Sequence, residues 1–367
     1  MHGLTATCSR RSWKSISASC VILAMAIASI FLVCAPAAFS HSTCQKVASP
    51  SGSDRARGTE SQPYRTVGRL VKSLRRGETG CLRGGVYSQD LTIRHGGTRH
   101  ARMVLRSYPG ESATILGRLY IARAARYTTL SYLHLVGVEH GHACGTPCPS
   151  PTVNADHTAF VHDDVTDNHT AICFLLGDSH GIYGPANFTV ISDNRIHDCG
   201  VMPPGNHDHG IYIENSYGSR IVGNWIYNNA DRGIQFYPEA MHTLVRGNVI
   251  DNNGEGLVFG AIGSQTSSHN LVERNVITDA RVSYNVSSYY RPVDRVGRGN
   301  VVRHNCIGGG PKDDSWSPGG IERRPLGFSV HHNVLATASF ARRAVGALDR
   351  TSACERTLRL VLPHPGP

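Results

Sequence analysis

A short motif, x-Asn-x-Ile, recurs through the central part of the chain and constrains its fold more than any other feature. The asparagines of successive copies lie 24–30 residues apart, at Asn194, Asn224, Asn248, Asn275, Asn305 and Asn333, the last copy having Leu for Ile. A weaker copy places Asp163 31 residues before the first of these. Such spacing indicates a solenoid, in which each repeat buries its core only by stacking on its neighbours.

A second motif runs beside the first and predicts strands. In "HGIYIE", "RGIQFY" and "EGLVFG" the glycines lie at 210, 233 and 256, two equal steps of 23 residues. The apolar residues that follow alternate as they do in a short strand, and they lack the 3.6-residue period of a helical repeat. An asparagine at each corner tolerates a left-handed bend and can bond to the asparagine one coil away. We therefore expect three short strands per coil.

With these motifs the chain resembles right-handed parallel β-helix proteins of the pectate-lyase-like superfamily, found among secreted bacterial repeat proteins, over roughly residues 60–340. The predicted fold class is all-β, a right-handed parallel β-helix (solenoid) with an N-terminal α-helical cap. The cap is predicted from "PYRTVGRLVKSLRRGETG", which places Val67, Leu70, Val71 and Leu74 on one helical face. Residues 139–158 lack a strand pattern and are predicted to form a projecting loop.

The N-terminus is typical of an export signal. Arg10, Arg11 and Lys14 precede an apolar run and then small residues up to Ser40. The alternative is a retained membrane anchor, but the apolar run is short for a span of about 30 Å. The predicted divisions are a signal peptide at 1–40, an N-terminal segment and helical cap at 41–80, the β-helix at 81–340 and a C-terminal cover and tail at 341–367. We expect a secreted, extracellular monomer with no membrane association after signal removal.

Cysteine usage agrees with export. Three of the 11 cysteines lie in the first 40 residues, and the even number that remains suggests disulfides. Spacing does not fix the connectivity. The pairing that we expect is Cys44–Cys81, Cys144–Cys148, Cys173–Cys199 and Cys306–Cys354. An alternative is a zinc site at Cys144 and Cys148 with neighbouring histidines.

The charge of the chain favours an acidic partner. The net charge is +10, and removal of the first 40 residues, which carry three basic residues and no acid, leaves +7. A basic exported protein can meet acidic polysaccharide, anionic cell wall or nucleic acid, although the charge can also serve solubility alone. Because no nucleic-acid-reading motif occurs, we expect an acidic polysaccharide and no nucleic acid.

The glycine motif predicts where polar side chains gather. Residues one coil apart become neighbours at about 4.8 Å. His209, Arg232 and Glu255 should therefore stack, with Asp208 beside Asp231. Two outward rows should follow, the first formed by Tyr212, Gln235 and Val258 and the second by Glu214, Tyr237 and Gly260.

This surface suits chemistry on a uronic acid, which needs a neutralised carboxylate, a base and often an acid for the leaving oxygen. Arg232 is the candidate that neutralises the carboxylate, His209 or Tyr237 the candidate base, and Tyr212 the candidate acid. The predicted catalytic residues are His207, Asp208, His209, Glu214, Arg232 and Tyr237. The predicted substrate-binding residues are Tyr212, Asp231, Gln235 and Glu239. The insertion at 200–206 would form a wall of the groove.

The resemblance implies a polysaccharide lyase or a uronate epimerase, since the superfamily includes both. The Asp-Pro-His signature of mannuronan epimerases and the motif set of polygalacturonases do not occur in the chain. Asp208, Asp231 and Glu214 are candidate ligands for Ca2+. The alternative function is a non-catalytic β-helix that binds glycan or a cell surface, with the same side chains paired to one another.

Overall fold

The structure, a computed structural model, describes residues 44–138 and 148–336. Within this part the chain winds into a parallel solenoid with three strands per coil, as the repeat predicts. Equivalent strands of successive coils pair in register and form three sheets, which we name A, B and C in the order in which the chain visits them. The core is a continuous column of side chains between the three sheets.

Sheets A and B are parallel throughout. Sheet A consists of Lys46–Ala48, Thr79–Leu82, Met103–Ser107, Thr128–Ser131, Ala159–Val161, Val190–Ser192, Arg220–Val222, Leu244–Arg246, Leu271–Glu273, Asn300–Arg303 and Phe328–His331. Sheet B consists of Gly85–Ser88, Ala113–Leu116, Leu133–Val136, Asp164–Thr166, Arg195–His197, Trp225–Tyr227, Val249–Asp251, Val276–Thr278, Cys306–Gly308 and Val334–Ala336.

Sheet C contains the longest strands. It consists of Leu91–Ile93, Leu119–Ile121, Thr152–Val153, Phe174–Leu176, Ile211–Tyr217, Arg232–Met241, Glu255–Ile262 and Val286–Tyr289, with Gln265–Thr266 antiparallel at its edge. The strand at Thr152–Val153 corrects the prediction of a loop over 139–158. Although it is only two residues long, both residues pair with strands on either side. Residues 139–147 lie outside the described part.

The helices are few and short. The helix Val67–Ser73 begins where the Thr66 hydroxyl accepts a hydrogen bond from the Arg69 amide at 3.1 Å. It buries Val67, Leu70 and Val71 beside the first strands of sheets A and C, in agreement with the predicted apolar face. A 3-10 turn spans Pro318–Gly320. Among the described residues, no helix has the length and apolar character that crossing a membrane requires.

The recurring asparagines form a hydrogen-bonded ladder at the corner between sheets A and B. The Asn248 Oδ1 accepts from both the main-chain N–H and the Nδ2 of Asn224, each at 2.9 Å. The Asn248 Nδ2 donates in turn to Asn275 Oδ1 and to the Ile221 carbonyl, each at 2.9 Å. The same pattern extends from Asn194 to Asn333. The polar groups of these corners are thus satisfied without water.

Asp163 occupies the N-terminal rung of this ladder and is its exception. Its Oδ1 accepts from the Leu133 amide at 2.9 Å, whereas its Oδ2 is buried and has no hydrogen-bond partner. Burial raises the pKa of this carboxyl to about 8. An ionised Asp163 is therefore unfavourable in the fold.

The glycines of the second motif are required by packing. A Cβ at Gly233 would lie 2.8 Å from both the Gly256 carbonyl oxygen and the Ile250 Cγ2. Gly210 and Gly256 meet similar obstacles one coil away. A larger residue at any of these three positions would therefore overlap its neighbours, so the coils pack at this spacing only with glycine there.

Two of the predicted disulfides, Cys44–Cys81 and Cys173–Cys199, are present. Cys148 and Cys306 are also disulfide-bonded, and their predicted partners Cys144 and Cys354 lie outside the described residues. The predicted signal peptide at 1–40 and the predicted C-terminal cover at 341–367 lie outside them as well.

Candidate active site

The predicted site residues lie on the outer face of sheet C, where three long strands run side by side. Arg232 pairs with Glu255, and Tyr212, Gln235 and Val258 form one row across the strands, as the 23-residue steps predict. Gln235 and Val258 are buried in this row, while Tyr212 is half-buried.

Arg232 stands at the start of its strand and is 4% exposed. Its Nε donates to Glu255 Oε2 at 3.1 Å, and its Nη1 donates to Gln235 Oε1 at 2.9 Å and to the Asn206 carbonyl at 3.3 Å. Its Nη2 donates to the Asn206 side chain. The guanidinium group is therefore fully engaged within the protein and does not face solvent.

His209 lies next to Arg232 in the stack and is 2% exposed. Its Nδ1 has no hydrogen-bond partner, and its ring meets the Tyr212 ring edge-on at 5.4 Å. Burial, together with the charges of Arg232 and His207, holds the pKa of this imidazole well below its ordinary value. His209 is therefore neutral at physiological pH, although solvent scarcely reaches it.

Asp208 and Asp231 anchor the insertion that precedes the cluster. The Asp231 Oδ2 accepts from the amides of His207 and Asp208 at 2.7 and 2.8 Å. The Asp208 Oδ2 accepts from the Val201 amide at 3.0 Å. These carboxylates hold the segment 201–208 in place, and through Asn206 this segment covers Arg232. The His207 side chain is exposed.

Two tyrosines and two glutamates of the predicted site are partly open to solvent. The rings of Tyr212 and Tyr237 lie 6.3 Å apart with a 25° angle between their planes. Burial, and then the nearby Glu214 and Tyr237, raise the pKa of Tyr212, and burial also raises the pKa of Tyr237. Both phenols therefore keep their protons at neutral pH and can act as proton donors.

A bulge gives Glu214 its position. The register between the two strands shifts after Ile213, so Glu214 lies opposite two residues, Tyr237 and Pro238. The Ser179 hydroxyl donates to Glu214 Oε1 at 2.6 Å. On the neighbouring strand, Glu239 Oε2 accepts from Gln265 Nε2 at 3.3 Å. Glu214 also lies near the Tyr212 phenol, whose pKa its charge helps to raise.

The loop that follows Phe174–Leu176 supplies site residues that the sequence patterns missed. Within the described part, the one group of three side chains that could share a metal ion is Asp178, His180 and Glu214, whose ligand atoms lie within 4.8 Å of one another. Burial alone would raise the pKa of Asp178, but the amides of Tyr183 and His180 outweigh it and lower the pKa.

This group does not match a calcium site as it stands. Calcium takes about six to eight oxygen ligands, whereas the Asp178 oxygens already accept from two amides at 2.9 and 2.7 Å. The predicted ligands Asp208 and Asp231 are not part of the group. We therefore derive no catalytic step through a metal ion.

Comparison with known proteins places this geometry among β-helices. Residues 165–310 match the family model described as the right handed beta helix region. The chain is 27% identical over 203 residues to the uncharacterized protein YwoF of Bacillus subtilis, covering 51% of this chain and 42% of that protein. It is 42% identical over 71 residues to pectate lyase PEL9 of Emericella nidulans, covering 19% and 17%. The matches thus span less than half the length of each relative.

Two solved structures share the fold at low sequence identity. XylC in complex with xylose superposes with a TM-score of 0.54 at 11% identity, covering 72% of this chain and 69% of that one. Pectate lyase Pel9A superposes with a TM-score of 0.53 at 13% identity, covering 79% of each chain. At these identities the likeness concerns the backbone architecture.

Proposed function

Because this chain is a right-handed parallel β-helix protein with the pectate-lyase-like fold, we propose that it is a secreted carbohydrate-active protein, a polysaccharide lyase or uronate epimerase that acts on an acidic polysaccharide. The observation that carries the proposal is the grouping of Tyr212, Glu214 and Tyr237 on the outer face of sheet C. Protonated phenols beside a carboxylate supply an acid and a base within one site.

In the proposed reaction, Glu214 removes the proton at C5 of a uronate unit, next to its carboxylate. In a lyase the electron pair then forms the C4–C5 double bond, the C4–O bond breaks, and the leaving oxygen takes the proton of Tyr212. In an epimerase the glycosidic bond stays intact and a tyrosine returns a proton to C5 from the opposite face. Either course removes and returns one proton.

Arg232 is the residue proposed to neutralise the uronate carboxylate. Its terminal nitrogens are held by Asn206 of the segment 201–208. This role requires a shift of the segment, which Asp208 and Asp231 anchor, to free these nitrogens beside Tyr212. A guanidinium group suits this task because its N–H groups match a carboxylate in a bidentate pair.

The test is a panel of polygalacturonate and alginate, followed by ultraviolet absorbance for the unsaturated product and by NMR for inversion at C5. Tyr212→Phe and Glu214→Gln should each reduce turnover by about 100-fold or more, since each removes one proton-transfer group. Tyr217→Phe, an exposed tyrosine on the same strand, is the matched control and should keep full activity. Wild-type turnover in both site variants would refute the assignment.

A non-catalytic glycan-binding β-helix is the second candidate. The pairing of Arg232 with Glu255 and Gln235 favours it, because these side chains satisfy one another without a ligand. Retention on immobilised polygalacturonate without any product from either polymer would support this function over the first.

A further inference from the structure

The N-terminal coils of sheet C carry a group of cationic side chains outside the site described above. It consists of Arg94 and Arg118, which lie near Tyr120, together with Arg123, and we call it the basic patch. The charges of Arg94 and Arg118 both act on the Tyr120 phenol, and the Arg118 guanidinium carbon lies 5.6 Å from the centre of its ring. Arg123 packs beside Gly184 of the loop that also carries Asp178.

No ion pair in the described part of the chain involves Arg94, Arg118 or Arg123, although other arginines, such as Arg195, Arg232 and Arg303, each pair with a carboxylate. Two carboxylates lie near the patch: Asp90 Oδ1 accepts from the Arg118 amide at 2.7 Å, and the charge of Asp178 acts on Tyr120. Arg94 and Arg123 are exposed. The Arg118 Nε is buried and has no hydrogen-bond partner. These cations can therefore meet an external anion without first breaking an internal pair.

Tyr120 of the basic patch and Tyr212 of the candidate site lie on one straight row across sheet C. Strand pairing aligns Tyr120 with Thr152, Thr152 with Leu175, and Leu175 with Tyr212. Three strand spacings of about 4.8 Å place Tyr120 roughly 14 Å from Tyr212 along the solenoid axis. A polymer that lies along this axis would therefore contact both places at once.

We propose that the basic patch is a distal subsite that binds the carboxylates of an acidic polysaccharide chain whose reacting unit lies at Tyr212 and Glu214. The substrate class rests on the proposed function, and the patch adds that the protein recognises a stretch of several charged units. The continuity of the row, and the three arginines that form no ion pair within the described residues, support this occupant. Single-stranded DNA, which non-specific binders hold on successive aromatic platforms, is the competing occupant that the test below distinguishes.

The test measures binding rather than turnover, so it does not depend on catalysis. Arg94→Glu/Arg123→Glu reverses the two exposed charges, and Arg118→Ala removes the third cation. Arg220→Glu/Arg274→Glu is the control, because it makes the same change in net charge at exposed positions away from sheet C. The probes are polygalacturonate, a short galacturonate oligomer, neutral dextran and single-stranded DNA.

We expect both patch variants to bind polygalacturonate more weakly, by about tenfold for the double reversal, while the control stays near wild type. The short oligomer, which fills only the central site, should bind all variants alike. If turnover is present, KM for the polymer should rise in the patch variants with kcat unchanged.

Three binding results would overturn the inference. They are equal weakening in the control, a loss of DNA binding as large as the loss of polygalacturonate binding, and no binding of polygalacturonate by the wild type. Cleavage of polymer with unchanged affinity in the patch variants would also refute the subsite while leaving the proposed function standing. If the wild-type protein shows no turnover but the patch variants bind the polymer more weakly, only the catalytic proposal is refuted and the subsite stands.

Discussion

Replacing Asp163 by asparagine should stabilise the protein. In the other rungs of the ladder, the asparagine Nδ2 donates to a main-chain carbonyl of the preceding coil, as Asn194 does to Phe160 at 3.1 Å. Since Phe160 is in register with Leu130, an amide at 163 would reach the Leu130 carbonyl. The carboxylate oxygen that now occupies this place has no partner. Asp163→Asn supplies the missing donor and removes a buried charge.

The size of the effect follows from proton linkage. The pKa of this carboxyl rises from 3.8 to about 8 on folding, so between these values the folded state binds more protons than the unfolded state. Stability is therefore lost as pH rises, by up to about 1.4 kcal/mol per pH unit and about 4 kcal/mol by neutral pH. Relaxation around the ionised group reduces this cost, so we expect the variant to gain about 2–4 kcal/mol near pH 8 and under about 1 kcal/mol near pH 4.

The assay is denaturant unfolding of wild type and variant, followed by circular dichroism at both pH values. Asp167, whose pKa burial also raises, to about 7, contributes to the wild-type pH profile, so the difference between the two proteins is the quantity to compare. Asp164→Asn is the matched control and should destabilise, because Asp164 pairs with Arg195 and His197. A gain that is equal at both pH values, or a loss in Asp163→Asn, would refute the reasoning.

Three further changes test the scaffold. Gly233→Ala should cost about 2–4 kcal/mol of unfolding free energy, because its Cβ would overlap the next coil. Gly205→Ala is the control and should cost little, because its Cβ would meet nothing within 4 Å. Equal unfolding midpoints for the two variants would contradict this. Asn248→Ala removes hydrogen bonds to both neighbouring coils and should cost about 2–4 kcal/mol in the same assay; an unchanged midpoint would show that the ladder is dispensable. Asp231→Ala removes the acceptor for two amides of the segment 201–208, so limited proteolysis should cut there faster than in wild type, and an unchanged rate would contradict the anchoring role.

Much of the fold was predictable because a β-helix repeats its local requirements. Each corner between sheets A and B needs a residue that bends the chain and bonds to its neighbour, and asparagine at Asn224 or Asn248 meets both needs. The equal steps between Gly210, Gly233 and Gly256 predicted the register of sheet C, since no insertion interrupts those coils. Where the number of residues per coil varies, the sequence repeats did not predict the structure. Phe174 pairs with Ile211 across 37 residues, so no repeat in the sequence predicts the loop that carries Asp178.

The chemical state of the site was less predictable than its position. The register correctly placed Arg232 above Glu255. Its burial, however, depends on the segment 201–208, whose Asn206 folds back over the guanidinium group. The contact between Ser179 and Glu214 likewise depends on a loop from the preceding coil. Such partners are chosen by loop conformation, which no periodic pattern of residues specifies.

The in-register row from Tyr120 to Tyr212 fixes the spacing between groups on successive strands of sheet C. Any distance along it is a whole number of coils, so the separation between two groups can change only in increments of about 4.8 Å. Gain or loss of one coil between Tyr120 and Tyr212 would change the distance between them and, for the subsite proposed above, the length of polymer that spans them, while leaving both ends chemically intact. Selection for substrate length can therefore act on the number of coils, independently of selection on the residues that react.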